Sequence, residues 1–299
     1  MSIAPRVALS QDFLLKLGKL PAAVHANVVK WALKFQQNPT APGINYEVIR
    51  AARDRNLRSI RIDQDWRGIV FRPEQGDLYI LLHVDTHDEA YRWAERRKLS
   101  VNPVTGAMQM VNLEAVEAQA APEAHVRVAP AADAPAPARE EVAAPAASPL
   151  FKDLTDEQLV QIGTPPELIP IVRSMTSDAD LDHAQELLPV EAYEGLFLIA
   201  AGDSVTQVLV GRETRVDRKV DPDDFVTALD TAESQSRFVV VTSDTEMSAI
   251  LNAPLQQWRV FLHPTQRKLA DGDRSGPVRV LGGAGTGKTV LAMHRAVWL

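Results

Sequence analysis

The 299-residue sequence contains no cysteine. Disulfides, cysteine metal sites and a thiol nucleophile are therefore excluded, and the composition suits a reducing compartment. No apolar run approaches the roughly 20 residues of a membrane span. The opening MSIAPRVALSQDFLL lacks the flanked apolar core of a secretory leader. These absences make a cytoplasmic protein with no membrane partner the expectation. What remains is ordinary globular material, 45% hydrophobic and 24% charged, long enough for two or three domains.

The net charge of −7 is unevenly spread. Residues 1–112 hold 16 Lys and Arg against 11 Asp and Glu, so the excess acid lies downstream. A basic front region permits a nucleic-acid partner, although a merely solvated surface has the same composition.

Composition divides the chain. Residues 1–112 read as a small α+β domain. QDFLLKLGKL and PAAVHANVVKWALKFQQNP carry apolar residues at helical spacing, with Pro21 opening the second helix. LRSIRID, WRGIVFRP and DLYILLHVD read as strands, PEQGD as a turn between the last two, and THDEAYRWAERRK as a closing helix. Residues 113–149 are rich in Ala and Pro without an aromatic, and read as a disordered linker. Residues 150–211 read as a module of short helices. Thr155 and Gln158 stand at capping-box spacing, Gly163 is a stop, Pro189 lies near a helix start and Gly202 near its end. Residues 212–235 read as a charged linker. From 236, RFVVVTS reads as a buried strand and DTEMSAILNAP as a helix capped by Asp244. The span 236–299 is expected to begin an α/β P-loop domain.

The chemistry is most specific near the end. Gly282-Gly283-Ala284-Gly285-Thr286-Gly287-Lys288-Thr289 fits G-x-x-x-x-G-K-[ST], after the strand-like PVRVL and before a helical pattern. Glycines let backbone N–H groups approach phosphate oxygens, and a helix N-terminus adds partial positive charge. Lys288 suits the β- and γ-phosphates, and the Thr289 hydroxyl suits Mg²⁺. Gln266 lies ahead of the loop, in HPTQRKL, with an amide able to pair with adenine.

HPTQRKL followed by GGAGTGKT resembles the start of superfamily 1 helicases of the UvrD/Rep type. The resemblance implies ATP and Mg²⁺ as cofactors, with Gln266 reading adenine and Lys288 and Thr289 holding phosphate and metal. It covers about residues 255–299. An acidic strand motif and arginine fingers would have to follow, so the expectation is the N-terminal part of a longer helicase, with negligible ATP turnover by these residues alone.

LRSIRI…WRGIVF…LYILLHVDTHDEAYRWAERR resembles the RelE/ParE toxin superfamily, several of whose members cut messenger RNA while others are not nucleases. The resemblance implies arginines at a scissile phosphate and a Tyr, His or Glu for proton transfer. Arg58, Arg61, Arg67, His87 and Tyr91 are the residues of suitable type, with Arg67 and Tyr91 matching best. The order of the segments resembles UvrD-like helicases with a RelE-like extension, acting on DNA, with RNA possible in principle. The leading expectation is a helicase whose front domain docks nucleic acid or a protein partner. The alternatives are a toxin-type ribonuclease fused to an NTPase segment, and an interaction protein with a vestigial P-loop.

Overall fold

The computed structural model describes residues 5–114, 148–210 and 220–253, with isolated positions at 270, 276, 280, 291–292 and 295–296. Its centre is a six-stranded mixed sheet. In chain order the front elements are β1 (Arg6–Ser10), α1 (Gln11–Leu17), α2 (Ala22–Gln37), β2 (Tyr46–Val48), β3 (Leu57–Arg61), β4 (Trp66–Phe71), β5 (Leu78–Thr86) and α3 (His87–Glu95). A hairpin of β6 (Arg97–Val101) and β7 (Met108–Asn112) follows. The sheet order is β2-β3-β4-β5-β1-β8, where β8 is Phe238–Val241.

The two expected front helices, the three strands, the turn at Gly76 and the closing helix are all present. β1, β2 and the β6–β7 hairpin were not foreseen. β1 makes the sheet mixed rather than antiparallel, because it runs parallel to β5, with Leu9 opposite Leu81. It passes into α1 without a loop. Ser10 makes this possible: its hydroxyl accepts the Phe13 N–H at 3.0 Å as an N-cap and donates to the Leu82 carbonyl at 2.9 Å.

Both faces of the sheet are covered, which is why β5 reads as a nearly continuous apolar run. One face packs Leu9, Tyr79, Leu81 and Val84 against Phe13, Leu14 and Leu17 of α1 and Val28, Ala32 and Phe35 of α2. The other packs Ile69, Phe71, Ile80 and Leu82 against Ala90 and Ala94 of α3 and Leu99 and Met108 of the hairpin. A fully buried side chain of this size contributes about 1.5–3 kcal/mol.

The chain from 148 onward returns to this body. The helical module contains α4 (Asp156–Ile162), α5 (Ile169–Ser174), α6 (Asp178–His183), α7 (Val190–Ala200) and α8 (Val205–Val210). Thr155 and Gln158 form the expected capping box, and Gly163 ends α4 at φ 108°. The module's core includes Val111 of β7, so it packs on the hairpin rather than standing as a spacer.

Two expectations are corrected downstream. The charged stretch holds two helical turns among its described residues, α9 (Phe225–Ala228) and α10 (Ala232–Gln235). Phe225, Ala228 and Leu229 bury against the front sheet, and Arg6 holds Asp230 through both carboxylate oxygens, at 2.6 and 3.2 Å. Three apolar side chains at helical spacing outweigh the charge around them. The second correction is the division at 236. β8 pairs antiparallel with β1, Ala8 opposite Val240, as an edge strand of the front sheet. Helix α11 (Asp244–Leu251) places Met247 and Leu251 in the core shared with α1 and α2. Its N-cap is Ser243, which accepts the Glu246 N–H; Asp244 is the first helical residue. Most of the expected linker (115–147), residues 211–219, the strand-like 277–281 apart from Val280, and most of 282–299 lie outside the described residues.

Candidate functional site

A polar layer lies on the α3 face of the sheet. Cross-strand pairing puts Glu47, Ser59, Ile69 and His83 in one row, and Arg61, Arg67 and Asp85 in the next row on the same face. α3 covers these rows with the small residues Ala90 and Ala94. A register shift between Ile69 and Val70, opposite residues 81–83, ends the regular alternation of β5.

Arg67 is only 9% exposed. Its Nη1 donates to the carbonyls of Asp63 and Trp66 at 3.1 Å and Gln64 at 3.4 Å, closing the β3–β4 turn, and its buried Nε has no partner. Arg61 is exposed and donates through Nε to the Asp63 carbonyl at 3.1 Å. Arg58 is half-buried and donates through Nη1 to the carbonyls of Arg55 and Leu57. His87 and Tyr91 stack, their ring centroids 4.4 Å apart. His87 Nδ1 lies 2.8 Å from Asp88, whose carboxyl is held below its usual range by that contact. The Tyr91 hydroxyl donates to Glu47 Oε2 at 3.2 Å. The structure thus brings Tyr91 and His87 together at the surface beside β2, while Arg67 is turned inward.

Sequence reasoning missed a second group at the carboxyl end of the parallel β1–β5 pair. His83 stacks on Trp93, and Arg97 lies over the same indole, 5.7 Å from its centroid. Asp85 holds Lys16 Nζ at 2.5 Å and lies 3.5 Å from His83 Nε2. Burial, with Lys16 and Arg97 adding to it and Asp85 opposing, pushes the His83 imidazole down to about 4. Its Nδ1 is buried without a partner. Burial likewise lowers Arg97, against the pull of Asp12 and Glu114. No local spacing announces this group, because its members come from α1, β5, α3 and β6.

A third network joins the helical module to β8. Arg237 Nη2 meets Glu191 Oε2 at 2.5 Å, and Gln109 Nε2 donates to Glu191 Oε1 at 3.0 Å and the Gly163 carbonyl at 2.7 Å. Gln266 and the loop Gly282 to Thr289 lie outside the described residues. Among the described residues no group of three or more His, Asp or Glu is placed to hold a metal, and no helix is long and apolar enough to cross a membrane. No protein-family model, curated protein or solved structure matches the chain.

Proposed function

We propose that this chain binds ATP with Mg²⁺ as part of a superfamily 1, UvrD-like DNA helicase, and that its front body docks nucleic acid or a partner. The observation that carries the reading is GGAGTGKT sixteen residues downstream of Gln266. The donor set fits the cofactor. Glycine N–H groups and the Lys288 ammonium match phosphate oxygens, the Thr289 hydroxyl matches Mg²⁺, and the Gln266 amide matches adenine. The nucleotide would supply the energy of hydrolysis; these residues bind and orient it.

Docking is favoured over RNA cleavage by the state of Arg67. Arg67 is only 9% exposed and its Nη1 is held by three carbonyls of its own turn, so the guanidinium is turned away from a phosphate at the surface. Binding of a fluorescent ATP analogue tests the nucleotide reading. Saturable, Mg²⁺-assisted binding that weakens at least about tenfold in Lys288→Ala is expected, with Gln266→Ala losing preference for adenine. No binding by the parent chain, or unchanged binding by Lys288→Ala, would overturn it.

A further inference from the structure

Two helical positions near the end of the chain meet. Arg295 Nη1 donates to the Ala270 carbonyl at 2.9 Å. Ala270 is helical and fully buried. A buried carbonyl needs a partner, and the last four carbonyls of a helix have none within it. Asp271-Gly272-Asp273 follows Ala270 directly, and a glycine there is a helix stop signal. A cationic side chain suits such a carbonyl by its charge as well as by its donors.

Helical spacing orients the other side of the contact. Leu291, Ala292, Arg295 and Ala296 are all helical. Leu291 is buried and Arg295 half-buried, while Ala292 and Ala296 are exposed. Residues four apart share a face, so the face of Leu291 and Arg295 is turned inward and carries the guanidinium to Ala270.

Both ends of this contact are tethered closely to the residues read as the nucleotide site. Ala270 lies four residues after Gln266, and Arg295 six after Thr289. At a reach of about 3.6 Å per residue, Gln266 stays within roughly 14 Å of Ala270, and Thr289 within roughly 22 Å of Arg295, whatever the backbone between them does. The contact therefore ties the segment that bears the adenine-reading amide to the segment that bears the phosphate-holding residues.

We propose that Arg295 is a positioning residue for base recognition. It holds the segment after Gln266 against the helix after Thr289, so that a nucleotide whose phosphates lie on the loop presents its base to the Gln266 amide. The inference rests on the nucleotide reading given above and adds to it a residue that acts through Gln266. The donor carries the role rather than the bulk, because the buried Ala270 carbonyl requires a hydrogen bond.

The test is competition of ATP and of GTP against a fluorescent ATP analogue on the full chain with Mg²⁺. Arg295→Met keeps the apolar stem and removes the donors. Its preference for ATP over GTP falls about fivefold or more, while its affinity for GTP is retained. Arg295→Lys, which can still donate to a carbonyl, keeps the preference. Gln266→Ala combined with Arg295→Met loses no more preference than Gln266→Ala alone, because one residue acts through the other. A merely structural role instead lowers the thermal transition and weakens both nucleotides alike. Without nucleotide, amide hydrogen exchange across residues 263–272 is faster in Arg295→Met than in the parent. Unchanged preference in Arg295→Met, losses that add in the double variant, or exchange equal to the parent's would overturn the proposal. A parent that prefers ATP, with that preference indifferent to Arg295→Met, sinks this inference alone; a parent that binds no nucleotide sinks the nucleotide reading as well.

Discussion

The imidazole of His83 lies flat on the indole of Trp93, with ring centroids 4.7 Å apart and planes 1° from parallel. The bulge in β5 turns His83 toward α3, and α3 delivers Trp93 from its second turn. Arg97 also lies over the indole, 5.7 Å from its centroid. The stack excludes water from an imidazole that already faces two cations.

A pH dependence follows from that burial. The folded pKa of about 4 lies below the ordinary 6.5. Between those values the unfolded chain binds the proton and the folded chain does not, so stability falls as pH drops from about 6.5 to about 4. Asp85 opposes the shift, while Lys16 and Arg97 reinforce it. Denaturant melts at pH 7.5, 6 and 5 are expected to show this loss in the parent and a flatter profile in His83→Asn. Identical pH profiles for the two would contradict the buried neutral imidazole.

Much of the front body was legible because its signals are local. The α2 periodicity, the Thr155–Gln158 box and the Gly163 stop each act within a few residues, and each appears as read. What was not legible depends on partners far along the chain. RFVVVTS reads as a strand from its own residues, but nothing in it says that it pairs with β1, some 230 residues earlier. Phe225 is one apolar residue in a charged stretch until Phe71 meets it, with centroids 4.7 Å apart. The same limit applies to the site. Arg67 has the right residue type for a phosphate contact, yet the carbonyls of its own turn claim it.

The Arg237–Glu191 pair makes the helical module and β8 interdependent. Their side chains are 19% and 13% exposed, and Gln109 bridges the same carboxylate to the hairpin. Removing one partner leaves a poorly solvated charge. Arg237→Ala is expected to cost at the lower end of about 3–5 kcal/mol, because some water reaches the pair. Replacing both with apolar residues, as in Arg237→Met with Glu191→Leu, should cost less than Arg237→Ala alone. Urea midpoints of the two variants decide it, and an equal or larger loss for the double variant would count against the pair being buried and mutually compensated.

Gly163 is required twice. Its φ of 108° belongs to the left-handed region, and a Cβ there would come within 2.7 Å of Glu191 Cγ. Gly163→Ala therefore strains the α4 stop and pushes on the carboxylate that holds Arg237 and Gln109. A loss of about 1–3 kcal/mol is expected, together with faster proteolysis within 148–210. A fully stable Gly163→Ala chain would show that α7 can shift without cost.

The placement of β8 also predicts what a shortened protein does. In a chain cut after Gln235, the side of β1 that pairs with β8 loses its partner. The contacts of Val241, Met247 and Leu251 with the α1–α2 core would be lost as well. Those three side chains are 5%, 0% and 1% exposed, so their removal uncovers apolar surface beside an unpaired strand edge, a combination that promotes association between chains. Protein ending at 235 is expected to aggregate or melt at a clearly lower temperature than protein ending at 253. Restoring 236–253 as a separate peptide should raise that transition in a dose-dependent way. If the shorter protein is instead monomeric with an unchanged melting temperature, β8 and α11 are appendages, and the front sheet closes without them.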